Sequence, residues 1–106
     1  MAEYGMEALE RVVRARLAEE GEGSYTRRLA AGGVEACAQK LGEEAVEAVI
    51  AAVRRAPDEL TREAADVVYH LTVLLAVSNL SWRDVTAELA RRSGTSGLAE
   101  KAAREP

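Results

Sequence analysis

Two stretches of helical periodicity, residues 34–56 and 59–79, are separated by little more than Pro57-Asp58. This spacing is the strongest constraint on the fold, because two long helices joined by so short a turn must run antiparallel as a hairpin. Only Gly42 interrupts the first stretch, at a cost of about 1 kcal/mol in local helix propensity relative to Ala. The second stretch is apolar on most sides in its later half, which places it inside protein over much of its surface.

Shorter elements flank the hairpin. Apolar residues at 6, 9, 12, 13 and 17 predict a helix over 6–19, and the Gly-Glu-Gly at 21–23 ends it. Ser24 is an N-cap for a short helix over 25–31, and Gly32-Gly33 breaks the chain again. Ser81, with Asp84 three residues on, opens a fifth helix through a capping-box arrangement. Residues 93–97, Ser-Gly-Thr-Ser-Gly, read as a flexible linker before a terminal helical turn. No segment alternates with period two over strand length. The expectation is an all-α antiparallel bundle of about five helices, forming one domain over residues 1–106. With 106 residues and no Phe, its core is small and built from Ala, Val and Leu, so a homodimer is expected to complete it.

Composition excludes several function classes. A net charge of −4 with basic residues in scattered doublets gives no clustered basic surface for nucleic acid. No apolar stretch is long enough for a bilayer, and the acidic N-terminus lacks a signal-peptide pattern. One cysteine, Cys37, rules out an internal disulfide and fits a reducing compartment; it reads as a small packing residue. A cytoplasmic location is expected. The phosphate-binding loop pattern G-x-x-x-x-G-K-[ST] is absent, so any polyphosphate would have to be held in another way.

The informative residues are the acids of the hairpin. At about 100° per residue, Lys40, Glu44 and Glu47 fall in one arc of the first helix with Ala48 and Ala51, and Glu43 lies at its margin. Val46, Val49, Ile50 and Val53 lie opposite and read as the core stripe. On the second helix Glu63, Asp66 and His70 share a face that continues as Val73, Leu74 and Val77. The hairpin would let Glu44, Glu47, Glu63 and Asp66 converge. Their mutual repulsion in a partly dehydrated place would be relieved by a divalent cation, and an oxygen-only set suits Mg²⁺ or Mn²⁺ better than zinc. The alternative is a solvated face with i, i+4 pairs such as Lys40–Glu44. A di-iron carboxylate bundle is rejected, since it needs Glu-x-x-His on two helices and the chain has one His.

The pattern E-E-x-x-E followed by E-x-x-D, here Glu43-Glu44-Ala45-Val46-Glu47 and Glu63-Ala64-Ala65-Asp66, resembles the signature of the all-α, MazG-like nucleoside triphosphate pyrophosphohydrolases. Further stretches, SYTRRL at 24–29, QKLGEEAVEAVIAA at 39–52, EAADVVYHLTVLLA at 63–76, LSWRDVTAEL at 80–89 and SGLAEKAAR at 96–104, resemble the phosphoribosyl-ATP pyrophosphohydrolases of histidine biosynthesis. The resemblance covers nearly the whole chain in order. It implies hydrolysis of phosphoribosyl-ATP to phosphoribosyl-AMP and pyrophosphate, with Mg²⁺ on Glu44, Glu47, Glu63 and Asp66.

A water attacking the phosphoanhydride needs a carboxylate to orient or deprotonate it, and Glu43 is the candidate, with Glu44 as runner-up. Lys40 is a candidate phosphate contact, or else a surface ion pair. His70 is expected to bond a ligand carboxylate or substrate, or to be a core histidine. Ser24, Tyr25 and Thr26 match a stretch near the substrate end, although capping alone explains Ser24. Relatives that carry the following cyclohydrolase activity are longer, so that step is expected of another protein. The rival readings are a house-cleaning nucleotide pyrophosphatase with the same acids and a helical interaction module with no metal dependence.

Overall fold

The structure is a computed structural model that describes residues 4–19, 24–94 and 97–104. Among these the chain is all α, with helices α1 (Met6–Ala18), α2 (Tyr25–Ala31), α3 (Gly33–Val53), α4 (Pro57–Val77), α5 (Trp82–Arg92) and α6 (Gly97–Arg104). The expected terminal turn is therefore a full sixth helix. The Gly-Glu-Gly at 21–23 and residues 95–96 of the expected linker lie outside the described residues. No single helix among the described residues is long and apolar enough to cross a membrane.

The α3–α4 hairpin is the frame, with the largest contact in the molecule. Its turn sits slightly earlier than the sequence suggests, over residues 54–56. Arg55 takes a left-handed φ of 59°, while the Ala56 N–H reaches Ala51 O at 3.1 Å and the Arg55 N–H reaches Ala52 O at 3.1 Å. Those two bonds close the helix end as a Schellman motif. Pro57 then occupies the first turn of α4, where its missing N–H has no intrahelical partner to lose. Asn79 repeats the device at the end of α4, with φ 59° and the Leu80 N–H on Leu75 O at 2.8 Å. α3 runs unbroken through Gly42.

The facing of α3 corrects one expectation. Its buried residues are Cys37, Glu44 and Ala51, so the arc that carries acids and alanines is the one turned inward against α4. Val46, Val49, Ile50 and Val53, expected in the core, are 58%, 61%, 49% and 76% exposed. Small residues let the two helix backbones approach, and the large apolar stripe is left on the outside of the hairpin. The radius of gyration is 16.0 Å. A compact domain of this length has about 13 Å, so the protomer is elongated.

α1 packs on α4, and α2 packs against α1 and α3. Val13, Cys37 and Val73 form the dry centre, with Leu9, Leu17, Leu29, Tyr69, Leu74, Ala76 and Val77 around it. α5 is held by caps and by its tryptophan. Ser81 donates its N–H to Asp84 Oδ2 at 2.9 Å, Glu10 Oε1 accepts the Trp82 N–H at 2.8 Å, and the indole Nε1–H reaches the buried Thr72 hydroxyl at 2.9 Å. The α2–α3 joint is sterically tight, because a Cβ on Gly32 would lie 2.6 Å from Ala36 Cβ. Gly32→Ala is therefore expected to lower unfolding free energy by about 1–3 kcal/mol, the usual range for overpacking. Urea denaturation of the two proteins measures it.

Candidate active site

The site lies in the seam between α3 and α4, with Glu44 just past the middle of α3 and Glu63 and Asp66 in the first half of α4. Oxygens of Glu44, Glu63 and Asp66 fall within 4.8 Å of one another. Glu44 is buried, Glu63 half-buried and Asp66 exposed, so the cluster opens to solvent on the Asp66 side. Glu47 is outside this set of three but stands in hydrogen-bonding contact with both Glu44 and Glu63 from the exposed rim. Glu43 is exposed beside them and contributes its charge at Lys40.

The electrostatics follow from this crowding. Burial, the Glu47 hydrogen bond and the charges of Glu47, Glu44 and Asp66 push the Glu63 carboxyl up to about 7. Glu44 is also penalised by burial, yet its Oε1 lies 3.1 Å from Lys40 Nζ, and Lys40, with Glu47 and His70, holds it below its ordinary value. The Lys40 ammonium is raised in turn by the same bond. Lys40 thus is an ion pair with Glu44, half-buried beside the enclosed end of the cluster. His70 is buried, and burial pushes its pKa down against the pull of Glu44, which favours a neutral imidazole. Its Nδ1 has no hydrogen-bond partner.

Two tyrosines fix that imidazole edge-on, Tyr25 with centroids 6.0 Å apart and Tyr69 at 5.5 Å. Ser24 caps α2, its Oγ accepting the Arg27 N–H at 3.2 Å, and so sets where Tyr25 begins. Thr26 is buried, and its hydroxyl shares a hydrogen bond with the Tyr69 hydroxyl; Arg16 donates to the same oxygen at 2.9 Å. Of the three residues at 24–26, then, Tyr25 reaches His70 directly and Thr26 acts through Tyr69. The sequence reading missed Tyr69 and Arg16. The only signal was an aromatic with a polar tip beside the lone His in an otherwise apolar run.

The donor set suits a hard divalent cation. It offers carboxylate oxygens alone, gathered closely enough to repel, and the Glu63 Oε2 is buried with no hydrogen-bond partner. An all-α hairpin with an acidic seam of this kind marks a class of helical protein whose carboxylates could hold a metal ion. The comparisons give the family. Its model, described as Phosphoribosyl-ATP pyrophosphohydrolase, matches residues 6–93. A relative from Rhodobacter capsulatus named phosphoribosyl-ATP pyrophosphatase is 57% identical over 102 residues, covering 93% of this chain and 99% of its own. Relatives of the same name from Agrobacterium fabrum and Sphingopyxis alaskensis are 52% and 58% identical, covering 98% and 91% of this chain and 97% and 89% of theirs. The chain belongs to the phosphoribosyl-ATP pyrophosphohydrolase family.

The raised Glu63 makes a pH prediction with a definite sign. Between its ordinary value of 4.5 and about 7 the folded protein holds a proton that the unfolded chain has released. Stability of the cation-free protein therefore falls as pH rises through that window. Glu44, held low, adds the opposite slope only at and below its ordinary 4.5. Excess Mg²⁺ favours the ionised cluster and should reverse the fall. Thermal melts across the window, with and without Mg²⁺, should show both effects, and Glu63→Gln should flatten the cation-free slope.

Proposed function

We infer that this chain hydrolyses phosphoribosyl-ATP to phosphoribosyl-AMP and pyrophosphate, the second step of histidine biosynthesis. The observation that carries the reading is the close convergence of Glu44, Glu63 and Asp66 in a chain of this family. The substrate is a nucleotide, as the names of its relatives state for them.

Glu44, Glu47, Glu63 and Asp66 are the residues that would hold Mg²⁺, with Mn²⁺ as a substitute. Held there, such a cation would supply positive charge against that growing on the departing pyrophosphate. Glu43 orients a water toward the α-phosphorus and takes its proton as the new P–O bond forms and the bond to the β-phosphoryl oxygen breaks. Glu43 suits this role by being exposed at the edge of the cluster, while Glu44 is committed to Lys40. Lys40 meets a phosphate oxygen from its place beside Glu44. Neutral His70, steadied by Tyr25 and Tyr69, keeps a nitrogen for a ligand carboxylate or the substrate. Ser24 and Thr26 support it by fixing α2.

We place the enzyme in the cytoplasm, where nucleotides are made and where the free, buried Cys37 stays reduced. We further propose a homodimer, in which a second copy covers Val46, Val49, Ile50 and Val53. The exposed stripe and the elongated protomer both support it.

Pyrophosphate release from phosphoribosyl-ATP, alongside ATP and other nucleoside triphosphates, tests the reaction. Mg²⁺-dependent release from phosphoribosyl-ATP is expected. Preference for another nucleotide would move the chain to a house-cleaning role, and no release from any would return the acids to a solvated face. Glu63→Gln and Asp66→Asn should each lower kcat/KM by about 10²–10³, the scale of losing one charge-stabilising group. Glu43→Gln should lower kcat while Mg²⁺ binding is kept; full turnover in that variant would remove Glu43 as the base. For the assembly, Val49→Asp is expected to convert a dimer to a monomer in sedimentation velocity, and an unchanged sedimentation coefficient would place the contact elsewhere.

A further inference from the structure

An apolar groove of about 510 Å³ runs between the start of α1 and the middle of α4. That volume lies within the range of about 300–1,000 Å³ usual for small-molecule sites. Tyr4, Met6 and Leu9 line one side, and Ala64, Ala65, Asp66, Val68 and Tyr69 the other. Asp66 is also one of the three converging carboxylates, so groove and cluster meet at a single residue. The cleft between α1 and α5, with Arg11 and Arg83, is lined by none of the four acids.

We propose that this groove seats the purine base of the nucleotide whose polyphosphate lies on the carboxylate cluster, with Tyr69 as its wall and Ala65 as its floor. The proposal rests on the reading of the cluster as the polyphosphate site. A nucleotide is charged at one end and flat and aromatic at the other, and the molecule offers that division across Asp66. Acids stand on the α3 side, and two aromatics with aliphatic residues on the α1 side.

The Tyr69 wall is held before any ligand arrives, because its hydroxyl is bonded by both Arg16 and Thr26. A fixed wall lowers the ordering cost of binding. Ala64 and Ala65 are exposed positions where a helix tolerates long side chains, and their methyl groups leave the floor open. Tyr4 is 65% exposed, so its ring is available to the groove's occupant. An aromatic face accepts a base without reading its edge, with a contribution of about 1–3 kcal/mol per stacked base.

The test uses AMP as the probe for the groove and Mg²⁺ tripolyphosphate as the probe for the cluster. With methyl-labelled methionine, AMP is expected to move the Met6 methyl signal, and tripolyphosphate to leave it in place. Ala65→Leu, which fills the groove floor, should weaken AMP binding by about tenfold or more, and should raise KM for phosphoribosyl-ATP. The loss should fall on AMP and spare tripolyphosphate. A Met6 signal unmoved by AMP while phosphoribosyl-ATP is turned over would overturn the groove and keep the hydrolase reading. AMP binding at Met6 without any turnover would do the reverse. If Ala65→Leu alters the sedimentation coefficient and leaves AMP affinity intact, the groove belongs to a subunit contact and the proposal fails.

Discussion

Everything in this molecule depends on the close approach of α3 and α4 along a face that carries carboxylates. A helical hairpin normally buries its largest apolar residues between its two arms. Here Ala48 and Ala51 let the backbones come together with Glu44 enclosed between them. Like charges in such a seam repel in proportion to how far water is kept out. The protein answers the repulsion in two ways within its own chain: Lys40 neutralises Glu44, and Glu63 keeps a proton to nearly neutral pH. Neither answer reaches the orphaned Glu63 oxygen. A cation held there would, so the crowding of the seam and the metal site proposed for it are two aspects of one arrangement.

Much of the hairpin is legible in the sequence because helix period, turn residues and caps agree. Pro57 at the first turn of α4, Ser24 and Ser81 at N-caps and Asn79 past a helix end all stand where local rules put them. Arg55 does not, since a bulky residue gives no sign of a left-handed φ; the Schellman bonds impose it. The facing of α3 fails for another reason. A helical wheel identifies two faces but not which one meets the chain's own neighbour. Apolarity alone points the valine stripe inward, whereas Ala48 and Ala51 with the acids permit the closer contact.

The candidate site divides along the same line. Glu44, Glu63 and Asp66 follow from spacing plus a hairpin, and the structure gathers them. Glu47 shares the arc yet sits on the rim, because it stands about 60° round α3 from Glu44, whereas Ala51, nearly in line with Glu44, is buried. The role of Thr26 could not be read, as its hydroxyl is bound to a residue 43 positions away. Tyr69 was hidden within an apolar run whose periodicity accounts for a ring but not for its hydroxyl. Long-range polar bonds leave no trace in local pattern, and these are the bonds that tie α1 and α2 to the site.

That tie matters for how an acidic chain can handle an acidic substrate. With a net charge of −4, the chain offers a polyphosphate at the seam little positive charge beyond Lys40, which is itself paired to Glu44. On the proposed reading a bound cation would add to the pull of Lys40, and further affinity would come from groups that carry no charge. His70 held neutral by burial, Tyr25 beside it, and Tyr69 anchored by Arg16 and Thr26 are such groups. They are set by packing among α1, α2 and α4, so they stay in place whether or not the seam is charged. On the proposed reading, charge would be met in the α3–α4 seam and shape by Tyr25 of α2 with His70 and Tyr69 of α4, which bonds and packing against α1 and α2 hold in place.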